Sequence, residues 1–418
     1  MQLELRELTA SPRSLYRASA ELFRCELERF HAFGNSTSVG DLTIGSGETI
    51  PVFTSEFWTS KQRAASSLHE VSYRACFKPQ LPRFFIERLT QPGDLVYDPF
   101  MGRGTTLLEA VLLGRQAAGC DINPLSAILL GPRLEAPSIE QVQRRLYEIK
   151  SDYDGPLPDD FLVFYHPKTL RQICALREAL RHSRSSVDRW ILMVATNRLT
   201  GHSKGFFSVY TLPPNQAVSI QSQRRINEQR KQAPDARDVA ALIRRKSRSL
   251  LSKVSAGDRN MLSTWGPKSI LMTRSCDETP AIPDESVTLV VTSPPFLDVV
   301  DYEIDNWLRC WFNHVDPKSI KLWMFKRVEE WSQRMTIVFR ELNRVLKRDG
   351  FVAFEVGEVR NGKLRLEDFV IPAAEQAGLK PVLVLVNQQE FTKTSNCWGV
   401  SNMNKGTNTN RVVLLQKQ

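Results

Sequence analysis

The sequence predicts an α/β protein organised on a mostly parallel sheet, and three observations carry that prediction. Gly93-Asp94-Leu95-Val96-Tyr97, entered from a Pro-Gly turn, reads as a buried strand, and Leu107 to Leu113, stopped by Gly114, reads as a helix. Between them runs Asp98-Pro99-Phe100-Met101-Gly102-Arg103-Gly104-Thr105-Thr106, whose two glycines let backbone approach a ligand at a helix N-terminus. Next, Arg115 to Pro124 is a second strand candidate, ending on Asp121, 17 positions after Gly104. Finally, strand–helix alternation resumes at Lys268 and continues through the last residues.

The 418 residues suffice for two domains, or for one with a long insertion. Hydrophobic content of 42% and charged content of 24% are those of a soluble globular chain. No uninterrupted apolar run approaches a membrane span, and Met1 to Leu8 lacks an apolar signal core, so a cytoplasmic protein without membrane partners is expected. Seven cysteines (Cys25, Cys76, Cys120, Cys174, Cys276, Cys310, Cys397) stand singly, with no Cys-x-x-Cys and no histidine pair at a zinc spacing. Reduced core cysteines and no metal are the expectation. The net charge of +10 is localised: Gly131 to Trp265 holds 23 Lys+Arg against 13 Asp+Glu, leaving 33 of each elsewhere. A solubility charge would spread, whereas a localised excess suits a polyanion-binding module.

In chain order, residues 1–65 form an N-terminal segment with an amphipathic helix over Ser14 to Phe33 and short β-prone pieces over Gly34 to Ser55. Pro82 to Leu89 reads as a helix leading into the first strand, and Phe77-Lys78-Pro79 stands just ahead of it, where a chain can lie over a ligand on the glycine turn. Residues 127–265 read as a basic, mainly helical insert. Its charge concentrates in Ala217 to Gln232, with Arg224, Arg225 and Arg230, and in Val239 to Lys253, with Arg244, Arg245 and Lys246. Lys204 lies in a small-residue loop with aromatics between Gly201 and Tyr210. Such stretches read either as solvated faces or as phosphate contacts, and the concentration of the net charge favours the second. Strands are then expected at Ser269–Thr273, Ser286–Val291, Phe351–Val356, Pro381–Val386 and Arg411–Leu415, with helices over Met335–Leu346 and Leu364–Ala377 and a turn at Lys347 to Gly350.

Two features carry chemistry. A carboxylate such as Asp121, ending the second strand of a parallel nucleotide-binding sheet, can accept hydrogen bonds from both ribose hydroxyls. Thr292-Ser293-Pro294-Pro295-Phe296 sits at the carboxyl end of a strand, where open α/β sheets bind ligands. Two prolines fix the backbone and remove two N–H donors, so the turn accepts hydrogen bonds and barely donates them. That suits an amino group, with Phe296 placed to stack on a flat ring.

Together these residues resemble the S-adenosylmethionine-dependent amino-methyltransferases of DNA. Asp98 to Thr106 looks like that family's cofactor motif, and Ser293-Pro294-Pro295-Phe296 looks like its catalytic motif in the Ser-Pro-Pro-aromatic form typical of cytosine-N4 enzymes. Phe296 stands where Tyr is commoner, which keeps stacking and loses a hydroxyl. The resemblance implies a Rossmann-like class I methyltransferase fold: a seven-stranded, mostly parallel sheet with a C-terminal antiparallel hairpin, formed by residues 66–126 and 266–418. It makes the basic insert a candidate target-recognition region.

For the cofactor, the resemblance implies Phe77 and Lys78 over the methionine part, the Asp98-Pro99-Phe100 and Gly102, Gly104, Thr105 turn, Asp121 with Asn123 at the ribose, and Asp277 near the adenine. Asp98 organises the turn or meets the cofactor's amino group. Catalysis would fall to Ser293 and the Pro294 carbonyl, accepting the two hydrogens of a flipped cytosine's amino group. No Pro-Cys dipeptide occurs, unlike the carbon-5 cytosine enzymes. Double-stranded DNA is the implied partner, with a cognate restriction endonuclease as a second candidate and a prokaryotic, nucleoid-associated location. The rival readings are adenine N6, an RNA amino group, or an inert DNA-binding protein on the same scaffold.

Overall fold

The computed structural model describes residues 12–45, 47–59, 65–73, 76–211, 217–295, 302–356, 365–388 and 409–418. Among them, nine strands form one sheet: β1 (Ser38–Thr43), β2 (Thr49–Ser55), β3 (Leu95–Asp98), β4 (Gln116–Asp121), β5 (Ile270–Thr273), β6 (Val287–Thr292), β7 (Leu346–Val356), β8 (Leu379–Gln388) and β9 (Thr409–Lys417). Their spatial order is β1-β2-β8-β9-β7-β6-β3-β4-β5. The strands β3 to β7 are parallel to their neighbours among themselves, while β9 runs antiparallel between β7 and β8. Seven strands thus form the expected class I methyltransferase sheet, with its C-terminal antiparallel hairpin.

The sheet is wider than that expectation. The hairpin β1–β2 adds to it through parallel pairing of β2 with β8, from Val52 opposite Val384 to Ser55 opposite Asn387. The N-terminal segment is therefore part of the sheet from residue 38 onward. Its β-prone pieces were legible; that they pair with a strand more than three hundred residues later was not, because pairing partners leave no mark in a short strand's own sequence. A second difference lies at Lys347 to Gly350, expected as a turn. These residues continue β7 as an irregularity, with Asp349 at φ 62° and a register shift between Val287 and Leu289 on the neighbouring strand.

The helices are α1 (Pro12–Glu28), α2 (Gln80–Leu89), α3 (Thr105–Leu112), α4 (Pro124–Leu134), α5 (Ile139–Glu148), α6 (Pro167–Leu180), α7 (Ser186–Thr196), α8 (Ile220–Arg230), α9 (Val239–Leu251), α10 (Ala256–Trp265), α11 (Tyr302–Phe312), α12 (Val328–Val345) and α13 (Glu367–Gln376). Local chemistry starts many of them. Asn123 caps α4 by accepting Leu125 N–H at 3.1 Å ahead of Pro124, and Ser138 with Gln141 forms a capping box on α5. Side chains alternating along the strands feed two hydrophobic layers. Val96, Leu289 and Val291 face one layer, with α2, α3 and the insert helices; Tyr97 and Val290 face the other, with α12 and α13. β6 is buried along its whole length, as its Val-Thr-Leu-Val-Val-Thr run requires of a central parallel strand.

The helices α5 to α10 build the insert. The chain leaves after α4 and returns at Gly266, where a Cβ would meet the Leu134 carbonyl oxygen at 2.1 Å, so exit and return meet. Among the described residues the insert nevertheless shares the core: Trp190, Ile173 and Ile243 belong to the same hydrophobic layer as Val96 and Leu107.

Candidate active site at the switch of strand direction

Strands β3, β4 and β5 are laid down in one direction across the sheet, and β6 and β7 in the other. The gap between the carboxyl ends of β3 and β6 is therefore the topological switch point, where open α/β sheets take their ligands. Asp98 ends β3 and Thr292 ends β6, and the Thr292 hydroxyl donates to Asp98 Oδ1 at 2.6 Å. The glycine turn and the Ser-Pro-Pro motif, 194 positions apart, thus meet directly.

Asp98 also accepts the Phe100 N–H at 3.0 Å, so it organises the turn, the first of its two expected roles. Burial pushes its carboxyl up to about 7, against the hydrogen bonds from Thr292 and Phe100. A folded-state pKa above the unfolded value of 3.8 favours folding below that value and loses the benefit as pH rises through about 7. Asp98→Asn is accordingly expected to raise Tm relative to the wild type more at pH 8 than at pH 5. A thermal-melt series across that range checks it, and an advantage that does not grow with pH would refute the assignment of burial as the cause.

Gly102 and Gly104 take φ 48° and 77°, which a side chain rarely adopts. Gly104 caps α3, and a Cβ there would fall 2.4 Å from Leu130. The Gly102 N–H donates to Asp121 Oδ2 at 2.9 Å and the Asn123 N–H to Asp121 Oδ1 at 2.8 Å. Burial raises the Asp121 carboxyl above its ordinary value, and those bonds oppose the rise. A carboxylate has about four lone-pair sites, so beyond these two bonds and the one from the Ser126 side chain Asp121 keeps some acceptor capacity. Thr105 is buried, and Thr106 donates to the Val291 carbonyl at 3.0 Å, tying α3 to β6.

Phe100 meets Trp323 edge-on at 6.1 Å, and the Arg334 guanidinium lies 4.2 Å over the Trp323 ring. Asp277 is paired with Arg334, which places it in this aromatic wall. Ahead of the turn, Arg103 donates to the carbonyls of His69, Val71 and Phe77, pinning the segment that carries half-buried Phe77 and exposed Lys78. Tyr73, on that segment, lies 3.4 Å from where a Gly102 Cβ would stand. Backbone at positive φ, a carboxylate with spare acceptor sites and an aromatic wall together fit the nucleoside part of S-adenosylmethionine.

On the other side, Ser293 is half-buried and Pro294 buried, and the Trp331 indole donates to the Pro295 carbonyl at 3.0 Å, anchoring the motif to α12. Phe296 lies outside the described residues, as does the Asn/Thr-rich loop before β9. One residue of the candidate site escaped sequence reasoning. Glu355, on β7 and buried, is hydrogen-bonded by the Ser293 side chain, and Asn410 Nδ2 donates to its Oε1 at 3.0 Å. Burial raises the Glu355 carboxyl above its ordinary value. A lone acid inside an apolar strand run, Phe-Val-Ala-Phe-Glu-Val, was the available signal.

The basic residues divide. Arg224, Arg225 and Arg230 are exposed on α8, where Arg224 pairs with Asp160 at 3.2 Å and Arg230 lies 3.7 Å over the Tyr210 ring. Arg244 and Arg245 are exposed on α9, and Arg245 donates to the Lys204 carbonyl at 3.3 Å, so these two stretches meet. Lys246 turns toward Glu70, 3.6 Å away. No helix among the described residues is long and apolar enough to cross a membrane.

A family model described as DNA methylase (N6_N4_Mtase) matches residues 40–127, which hold the glycine turn and Asp121. The chain is 30% identical over 108 residues to the Type II methyltransferase M.MjaII of Methanocaldococcus jannaschii, covering 25% of this chain and 20% of that one. To the Type II methyltransferase M.BsoBI of Geobacillus stearothermophilus it is 23% identical over 292 residues, covering 61% of this chain and 54% of the relative. To M.SfiI of Streptomyces fimbriatus it is 30% identical over 119 residues, covering 26% and 25%. The matches thus span about half or less of these relatives' lengths.

Proposed function

We propose that this chain is a site-specific DNA methyltransferase that moves a methyl group from S-adenosylmethionine to the exocyclic N4 amino group of cytosine. The observation that carries this reading is the Thr292–Asp98 hydrogen bond, which sets a nucleoside cradle and an amino-accepting turn at one switch point. Both the DNA methylase match over 40–127 and the Type II relatives support it.

When bound, the cofactor supplies an electrophilic methyl group on a sulfonium. Asp121, Asn123 and the Gly102 backbone would hold its ribose side, with Phe100 and Asp277 along the adenine and Phe77 and Lys78 over the methionine end. An aromatic amine is a poor nucleophile because its lone pair is shared with the ring. Ser293 and the Pro294 carbonyl would each accept one of its hydrogens and so localise that pair on nitrogen. A hydroxyl that donates to Glu355 keeps its own lone pairs for the incoming N–H. The methylated nitrogen must shed one proton, and Ser293 backed by Glu355 is the acceptor at hand.

The target amino group is paired inside a duplex, so the base would be extruded to reach Ser293, with Phe296 as its stacking partner. The surfaces of α8 and α9 would meet phosphates of double-stranded DNA, and residues 127–265 would act as the recognition region beside the catalytic residues 66–126 and 266–418. The Type II relatives make a cognate restriction endonuclease the partner to look for, in a prokaryotic cytoplasm at the nucleoid. The deciding experiment supplies isotopically labelled S-adenosylmethionine and unmethylated genomic DNA, then digests the product to nucleosides. Label in N4-methylcytosine is expected; label in N6-methyladenine would move the reading to adenine, and label in neither would overturn it.

A further inference from the structure

Cationic side chains gather where the insert meets the segment that precedes the glycine turn. Arg198 follows α7 and lies 4.0 Å over the Phe206 ring, its Nε donating to the Asn197 carbonyl at 2.9 Å. Arg245 reaches across to the Lys204 carbonyl, and a Cβ on Gly205 would stand 3.3 Å from its Nη2, so the Gly201–Tyr210 loop is folded against this guanidinium. Lys246, on the same helix, and Arg309, buried on α11, complete the group. The carboxylates that act on it are Glu70, 3.6 Å from Lys246, and Asp305, near Arg309.

Four cations against two carboxylates leave this group with a positive excess that favours a bound anion. Burial, and then the charges of Arg309 and Arg245, pull Arg198 down to about 10, and burial does the same to Arg309. Like charges brought together out of water repel unless something negative sits among them. The cluster also stands beside the site. Asn197, the residue before Arg198, is locked to Ser72 by two hydrogen bonds of 2.9 Å, and Ser72 precedes Tyr73, whose ring lies against Gly102. Arg309 donates to the same Ser72 carbonyl at 3.3 Å.

We propose that Arg198 and Arg245 form a clamp that grips one backbone phosphate of the nucleic acid strand beside the reacting base. Phe206 holds the Arg198 fork in place, Lys204 lies at the rim, and Arg309 and Lys246 supply the positive field behind. The clamp rests on the reading of the chain as a nucleic-acid enzyme, and it adds a position that the basic runs of the sequence do not include. Its ligand chemistry is a phosphodiester oxygen, recognised by the guanidinium nitrogens that the bonds of Arg198 to Asn197 and of Arg245 to Lys204 leave over.

The test uses the full chain with Arg198→Gln, Arg245→Gln and the double variant, keeping S-adenosylmethionine binding as the check on folding. Duplex DNA binding is measured by fluorescence anisotropy across a salt series, and inorganic tripolyphosphate binding by calorimetry. Each single variant is expected to lower the salt slope by about 0.9, the value for one phosphate, and the double variant by no more than about that amount because both groups hold the same phosphate. Tripolyphosphate affinity should fall about tenfold in each. Salt slope and tripolyphosphate affinity both unchanged would overturn the clamp, and a loss of about two phosphates in the double variant would overturn the shared grip. Wild-type protein that binds tripolyphosphate and ignores duplex DNA would instead sink the DNA reading while leaving the anion site standing.

Discussion

Replacing Ser293 by Ala should cut kcat by about 10²–10³, the usual cost of deleting one aligned hydrogen-bonding group from a polar reaction centre. The affinity for S-adenosylmethionine should stay within about twofold, because the loss falls on the acceptor side of the switch point. The same hydrogen-bond chain predicts a pH dependence. Burial raises the Glu355 carboxyl, so its ionised form, the one that accepts the Ser293 hydroxyl, is lost on acidification earlier than for an ordinary glutamate. Turnover should therefore fall on the acid side of a limb placed above the usual carboxylate range, and Glu355→Gln should be slow with that limb flattened. Asp98, held at about 7, is the other group able to produce an acid limb. A limb that survives Glu355→Gln and vanishes in Asp98→Asn would transfer the role to Asp98. Unchanged turnover in Ser293→Ala would remove Ser293 from the chemistry altogether.

The second large effect is expected at Asp121. Its carboxylate holds the Gly102 and Asn123 N–H groups and a hydrogen bond from the Ser126 side chain, and it keeps acceptor capacity for the ribose. Hydrogen bonds to a charged group contribute about 1.5–3 kcal/mol each, so Asp121→Ala should weaken S-adenosylmethionine binding on the order of 10²-fold. Asp121→Asn keeps the shape and loses the charge, and should fall between alanine and the wild type. Equilibrium titration of the three proteins provides the measurement. An alanine variant that binds as tightly as the wild type would show that Asp121 serves only to brace the glycine turn.

Much of this candidate site is legible in the sequence, and the reasons are local. Asp98 to Thr106 announces itself because positive φ at Gly102 and Gly104 requires glycine, and Asp121 because an acid ending an apolar strand is conspicuous. Ser293-Pro294-Pro295 stands out because prolines remove donors wherever they fall. What stayed hidden depends on pairing across the fold. Glu355 acquires meaning only when β7 lies beside β6 and brings it to Ser293. Arg198 stands alone in sequence and joins Arg245 only through the fold of the 201–210 loop. The edge hairpin β1–β2 was visible as strands but not as part of the sheet.

The bond between Thr292 and Asp98 has a thermodynamic corollary. It is the seam between the strand that carries the donor cradle and the strand that carries the acceptor turn. Any preference that a filled cradle imposes on this seam must be returned in equal measure when the acceptor turn is filled, since coupling between two binding equilibria is reciprocal. On the proposed reading, whatever coupling passes through this single buried hydroxyl would act equally from either substrate on the other.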